Sequence, residues 1–202
     1  MMLRTVTAAI AGLAMASSLA MADGYVKPVA YPQPEDPSEF YSLVEIPAGS
    51  SVKYEVDDKT GHILVDRFMA MPVVYPANYG SVPSSLAGDG DPLDVLVFTR
   101  APVMPGALMK VRAIGVLKMV DGGETDDKII AVPTSKVDPT YDNIKSINDL
   151  PEIERERLEA FFRVYKQLPK GGKIVELGGF EDADKAQAEV VEALRVYREK
   201  HK

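Results

Sequence analysis

The 202-residue sequence contains no cysteine and no tryptophan, and its only histidines are His62 and His201. Without cysteine there are no disulfides, thiolate metal sites, sulfur nucleophile or lipid-modified N-terminal cysteine, a composition compatible with an oxidising compartment. Two histidines are too few for an imidazole metal cluster. Positive charge is also in deficit: 23 Lys and Arg face 30 Asp and Glu, for a net charge of −7. Such a surface repels nucleic acid and anionic lipid, so neither is an expected partner. No P-loop signature is present, which argues against an ordinary nucleotide-triphosphate enzyme. The chemistry must therefore run on carboxylates, Lys, Arg and Tyr, with or without a bound cation.

A membrane-length apolar run is missing too. The stretch from about Val6 to Ala20 falls short of the ~20 residues that a spanning helix needs. It follows Arg4 and ends in the small-x-small triplet Ala20-Met21-Ala22. This pattern reads as a signal peptide over residues 1–22, cleaved after Ala22, with the mature chain periplasmic or secreted and no membrane span left in it. Of the charged residues only Arg4 would be lost, leaving the mature chain one unit more negative.

Residues 23–40 carry Pro28, Pro32, Pro34 and Pro37 and predict an extended N-terminal arm with no chemical motif. Residues 41–202 read as one domain. Short strand patterns recur at "YSLVEIP", "VKYEVD", "ILVDRFM", "LDVLVF", "ALMKVRAIGVLKMV" and "KIIAVP", punctuated by the turns "DKTGH" and "DGGETDD". A series of this kind predicts a small closed barrel. Two helices follow. One, in "PEIERERLEAFFRVYKQL", places Leu158, Phe161, Phe162, Tyr165 and Leu168 on one face; the other, roughly 183–200, does so with Val190, Val191, Leu194 and Tyr197. The fold class is mainly β with α, an α+β arrangement with both helices laid on the barrel.

The segment "GDGDPLDVLVF" sets Asp89, Asp91 and Asp94 close together at the mouth of an apolar strand. Two carboxylates about 5 Å apart repel by roughly 3 kcal/mol at an effective dielectric near 20, but by under about 1 kcal/mol in bulk water. As a solvated turn the string costs little. Asp94, however, sits inside a run that is apolar on both alternating faces, and a buried carboxylate must be paired, protonated or bound to a cation. A second acidic cluster, Asp121, Glu124, Asp126 and Asp127, occupies the tip of a later hairpin. Alone it reads as a polar turn; joined to the first it makes an all-oxygen site suited to Mg²⁺, with Mn²⁺ or Ca²⁺ as competitors. Lys53, Arg67, Lys128 and Lys166 lie near these strands. Each alone reads as a solvated side chain, but carboxylates that hold cations, ringed by Lys and Arg, suggest a polyanion carrying phosphates.

Asp89-Gly90-Asp91-Pro92-Leu93-Asp94-Val95 matches the D-x-D-P-x-D-V segment of the family I soluble inorganic pyrophosphatases, which the chain resembles. The flanking segments "EIPAGSSVKYEVD", "GHILVDRFM", "YPANYG", "GVLKMVDGGETDDKIIAVP", "INDLPE" and "FFRVYKQL" follow in the family's order across about residues 41–182. The resemblance implies a closed five-stranded OB-like β-barrel with two flanking helices, hydrolysing Mg²⁺-bound pyrophosphate to two orthophosphates, with Mn²⁺ as a substitute ion. It implies Asp89, Asp94, Asp121 and Asp126 as metal ligands, Asp94 being shared between two ions, and Asp91 as the general base. Lys53, Arg67, Tyr79, Lys128, Tyr165 and Lys166 would bind substrate, and Glu45 and Glu55 would be outer acidic partners. Bacterial members are typically homohexamers, so a homo-oligomer is expected. Three departures concern packing: Ser81 stands where an aromatic follows the Tyr-Gly pair, and Ile174 and Phe180 stand where tryptophans are frequent. The "EIPAGSSVKYE" segment also looks one residue short. From residue types alone, a non-catalytic exported module binding divalent cations or phosphate, and a broader phosphoanhydride hydrolase, remain open.

Overall fold

A computed structural model describes residues 26–201. The expected signal peptide and its cleavage point lie outside the described residues. The strands are β1 (Phe40–Ile46), β2 (Val52–Val56), β3 (Ile63–Phe68), β4 (Asn78–Ser81), β5 (Asp94–Val97), β6 (Leu108–Asp121), β7 (Glu124–Thr125), β8 (Lys128–Pro133) and β9 (Val175–Asp182); α1 spans Glu152–Val164 and α2 spans Ala183–Lys200.

Five strands close into a ring. β1 pairs with β4, β4 with β5, β5 with β8, β8 with β6, and β6 returns to β1. The expected closed five-stranded arrangement with two helices is thus present. All the joins are antiparallel except β5–β8, which is parallel. The β2–β3 hairpin, turning through Asp57–His62, forms its own two-stranded ribbon outside the ring. β9 has no counterpart among the expected elements; it adds to the outer flank of the long β6.

Alternation along the central strands explains the two cores. Val95, Val97, Ile129 and Ala131 pack with Ala186, Val190, Ala193 and Leu194 of α2, whereas Leu96, Ile130 and Val132 pack with Leu158, Phe161 and Phe162 of α1. β5 and β8 are covered on both faces, which is why they read as continuous apolar runs rather than alternating ones. Two expected face residues are exposed. Val191 is exposed on α2, and Leu168 is exposed because α1 ends at Val164, four residues before it. Ile174 is also exposed and Phe180 is partly buried, so a tryptophan is not needed to fill either place.

The N-terminal arm is fastened rather than free. After a short 3₁₀ turn at Pro28–Ala30, the Gln33 side chain donates to the Tyr41 and Pro83 carbonyls and accepts from Tyr41 N–H. Ser84 N–H and Oγ donate to the Val29 and Tyr31 carbonyls.

Candidate active site

The ring, the ribbon and the end of α1 surround a cavity of about 960 Å³. β1 supplies Glu45, β2 supplies Lys53 and Glu55, β3 supplies Arg67, and β4 supplies Tyr79. Asp89 and Asp91 come from the loop before β5, Asp94 from its first residue, and Asp121 from the last residue of β6. Asp126 precedes β8, and Tyr165 and Lys166 follow α1. Every site residue expected from the sequence therefore lines this one cavity except Lys128. That residue lies beneath the wall at 1 % exposure, its ammonium bonded to both Asp94 and Asp126. Two acidic clusters separated by more than twenty residues in sequence thus meet through one buried cation.

Local backbone chemistry explains why the first cluster has its shape. Asp89 Oδ1 accepts from Asp91 N–H at 3.0 Å, and Ala87 N–H donates to the Asp91 carbonyl at 2.7 Å, closing a tight loop. Gly90 takes φ +92° inside it, a conformation that costs a side-chain-bearing residue energy. Gly80 serves a different need, since any side chain there would collide with the Leu43 carbonyl of β1. That close approach brings Tyr79 and Ser81 onto the cavity floor.

The electrostatics follow from burial and crowding. Burial, reinforced by the Asp94 charge, raises the Glu45 carboxyl to about 7, although Ser81 Oγ donates to it at 3.1 Å. Burial and the neighbouring Asp89, Asp94 and Glu55 charges raise Asp91 above the ordinary carboxylate value, against the pull of Lys53. Asp126 is raised by burial despite Lys128. Burial opposes the Lys128 ammonium, but Asp94 and Asp126 more than compensate and raise it. The Tyr79 and Tyr165 phenols are raised by burial, so both stay neutral hydrogen-bond donors.

The donor set fits a hard divalent cation. Asp121 is buried; one oxygen takes the Lys166 ammonium while Oδ1 has no hydrogen-bond partner. A buried carboxylate oxygen without a donor calls for a cation. Among the described residues no three acidic or imidazole side chains form a ready-made cage, because Lys128 and Lys166 draw Asp94, Asp126 and Asp121 toward themselves. The residues available to hold Mg²⁺ are Asp89, Asp94, Asp121 and Asp126, all oxygen ligands.

On the opposite side, Lys53 bonds Glu55 and lies 3.3 Å from Asp66, whose Oδ2 also accepts from Arg67 Nη1 at 2.5 Å. Lys53, Arg67, Tyr165 and Lys166 continue into an adjoining cavity of about 460 Å³. Lys173 lines both cavities and Lys27 lines the larger. Sequence reasoning missed these two, because Lys173 sits in a glycine-rich stop after a helix and Lys27 in a proline-rich arm, neither with a local chemical signal. Ser81, noticed only as a departure from the family, proves to touch Glu45.

A sequence model of the family described as "Pyrophosphatase: Inorganic pyrophosphatase" matches residues 42–198. The inorganic pyrophosphatase of Aquifex pyrophilus is 47 % identical over 167 residues, covering 83 % of this chain and 94 % of that protein. The one from Escherichia coli K12 is 47 % identical over 156 residues, covering 77 % of this chain and 88 % of that protein. The crystal structure of inorganic pyrophosphatase from Thermus thermophilus superposes with a TM-score of 0.81 at 37 % identity, covering 86 % of this chain and 99 % of that one. With the fold, the D-x-D-P-x-D-V loop and the converging clusters in agreement, the chain belongs to the inorganic pyrophosphatase family.

Proposed function

We propose that the cavity hydrolyses inorganic pyrophosphate to two orthophosphates in a Mg²⁺-dependent reaction. The observation that carries this reading is the meeting of Asp89, Asp91 and Asp94 with Asp121 and Asp126 in one cavity that Lys53, Arg67 and Lys166 also line. Membership of the family disfavours a binding-only role.

Asp89, Asp94, Asp121 and Asp126 would hold Mg²⁺, which when bound would supply charge neutralisation and a lowered pKa for its water. Asp91 accepts the proton of the attacking water, and its raised affinity for protons suits a base. Lys53, Arg67 and Lys166 hold phosphate oxygens and stabilise charge as it grows on the departing phosphate. Tyr79 and Tyr165 donate phenolic hydrogen bonds. Glu45 and Glu55 balance the cations from outside, and Lys128 acts from beneath on Asp94 and Asp126.

The test is phosphate release from pyrophosphate by the purified chain with Mg²⁺, with a chelator, and in Asp91→Asn. Turnover that needs Mg²⁺ and collapses in the variant supports the reading; no release by the wild-type chain refutes it. A panel including longer polyphosphates and nucleotides defines substrate breadth.

Export belongs to the same proposal, supported by the apolar run Val6–Ala20 and the Ala20-Met21-Ala22 triplet. Among the described residues no helix is long and apolar enough to cross a membrane. An exported enzyme of this kind recovers phosphate outside the cytosol. A homohexamer is likewise proposed; Leu64, Val65 and Phe68, exposed on β3, offer apolar surface for contacts between subunits.

A further inference from the structure

The hairpin that carries Asp126 contains an irregularity with a chemical cause. Its register runs in step from Leu117 opposite Lys128 to Val120 opposite Thr125 and Asp121 opposite Glu124, which sets Met119 opposite Asp126. A regular antiparallel pair at that point would exchange two backbone hydrogen bonds. One is made, from Asp126 N–H to the Met119 carbonyl at 2.9 Å. For the other, Met119 N–H donates at 2.8 Å to Asp127 Oδ1 in place of the Asp126 carbonyl.

The same carboxylate is anchored from behind. Its second oxygen takes the Lys118 ammonium, which also donates to Glu189 Oε1 of α2 at 2.8 Å. Asp127 is almost fully buried, at 9 % side-chain exposure, so its charge is committed to this arrangement. Asp126 and Lys128, the residues on either side of it, point the other way, toward Asp94 and the cavity. The Asp126–Asp127 peptide is therefore held out of the ladder by a side chain, with α2 as the fixed point.

We propose that Asp127, braced through Lys118 by Glu189, is a positioning residue that aims Asp126 and Lys128 into the active site. It touches neither substrate nor cation; it acts by replacing the Asp126 carbonyl as the acceptor for Met119 N–H. Without that acceptor the two strands close their ladder, and the Asp126 peptide turns. This inference rests on the reading of Asp126 as a cation ligand.

The experiment uses the purified full-length chain and Mn²⁺ alone as the probe, counting free Mn²⁺ by electron paramagnetic resonance without pyrophosphate. Urea unfolding in chelator runs in parallel, with kcat, KM and the Mg²⁺ concentration for half-activation. Asp127→Ala is expected to raise the Mn²⁺ Kd about tenfold and the half-activating Mg²⁺ by a similar factor, with KM for the magnesium–pyrophosphate complex changed less than threefold. Asp127→Asn keeps an oxygen acceptor for Met119 N–H and is expected to stay within threefold of wild type for Mn²⁺. A lowered urea midpoint with Mn²⁺ affinity within twofold of wild type in Asp127→Ala assigns Asp127 a structural role only and overturns the proposal. So does an Asp127→Asn variant as weak as Asp127→Ala. Should Asp127→Ala fail to fold, Glu189→Gln provides the same decision: a Mn²⁺ Kd raised about threefold supports the brace, and an unchanged one overturns it. A wild-type chain that binds Mn²⁺ but releases no phosphate defeats the proposed activity and leaves this inference standing; one that binds no Mn²⁺ defeats both.

Discussion

Lys128 is the side chain by which the acidic cluster holds together. Its ammonium joins Asp94 to Asp126 almost out of reach of solvent. Removing one partner of a buried ionic group leaves the others uncompensated, which costs about 3–5 kcal/mol. Lys128→Met is expected to lose that much in urea unfolding measured in chelator, and saturating Mg²⁺ should restore part of it, because a divalent ion can neutralise the same oxygens. Asp91→Asn is a purely chemical change by comparison. Loss of a positioned base is expected to lower kcat by roughly 10²–10⁴-fold, measured as phosphate release at saturating Mg²⁺. Glu45 makes a pH-dependent contribution of definite sign. Its folded carboxyl titrates at about 7 against an ordinary 4.5, so between those values the folded chain holds a proton that the unfolded chain has released. Stability therefore falls as pH rises from about 4.5 to about 7, by on the order of 3 kcal/mol for this one group. In chelator, Glu45→Gln should flatten the unfolding midpoint across that window; an unchanged slope would show that burial does not govern this carboxyl. Ser81 belongs to the same contact, its hydroxyl donating to Glu45.

Among the elements, α1 is the one whose packing bears most directly on the site. Phe162 is buried to 1 % and its ring lies 5.3 Å from that of Tyr165, the residue just past the helix that enters the cavity. Phe162→Ala is expected to cost about 3–5 kcal/mol in chemical denaturation. The same variant should raise KM for pyrophosphate more than it lowers kcat, since Tyr165 and Lys166 lose their support while the acidic wall is untouched. The start of α1 was legible from Pro151, but its end was not, because the helix stops at Val164, short of Pro169 and the glycines; α2 starts where Asp182 accepts from Ala183 N–H. β9 was not legible. Among its eight residues, Val175–Asp182, none is fully buried, and Gly178-Gly179 interrupts its pattern. Such a strand is specified by the exposed edge of β6, which supplies its partners, rather than by its own side chains.

Over the whole molecule the chain brings residues from β1 to β6, the loops before β5 and β8, and the end of α1 to one cavity. The arm takes part in that assembly, since Gln33 and Ser84 fix it beside the loop leading to Asp89. Export and assembly are properties at this scale. N-terminal sequencing of the protein recovered from the periplasm or medium is expected to begin at Asp23, and a chain beginning at Met1 or Met2 would remove the export proposal. Native mass spectrometry should find six copies per particle, and Val65→Glu on β3, exposed and lining neither cavity, should reduce that number.

The local pattern of residues was enough to determine most element types, the apolar runs of β5 and β8 and the oxygen-only chemistry of the site, because each depends on neighbours a few positions away. The resemblance of its motifs added the roles. Tertiary structure alone decided which charges are buried and whom they meet. Lys128 reads as one more surface lysine until the β5–β8 join sets it beneath Asp94, and Asp127 reads as a turn residue until α2 brings Glu189 to Lys118. The cost of burying a charge is a property of everything around it, and those surroundings come from strands and helices far apart in the chain.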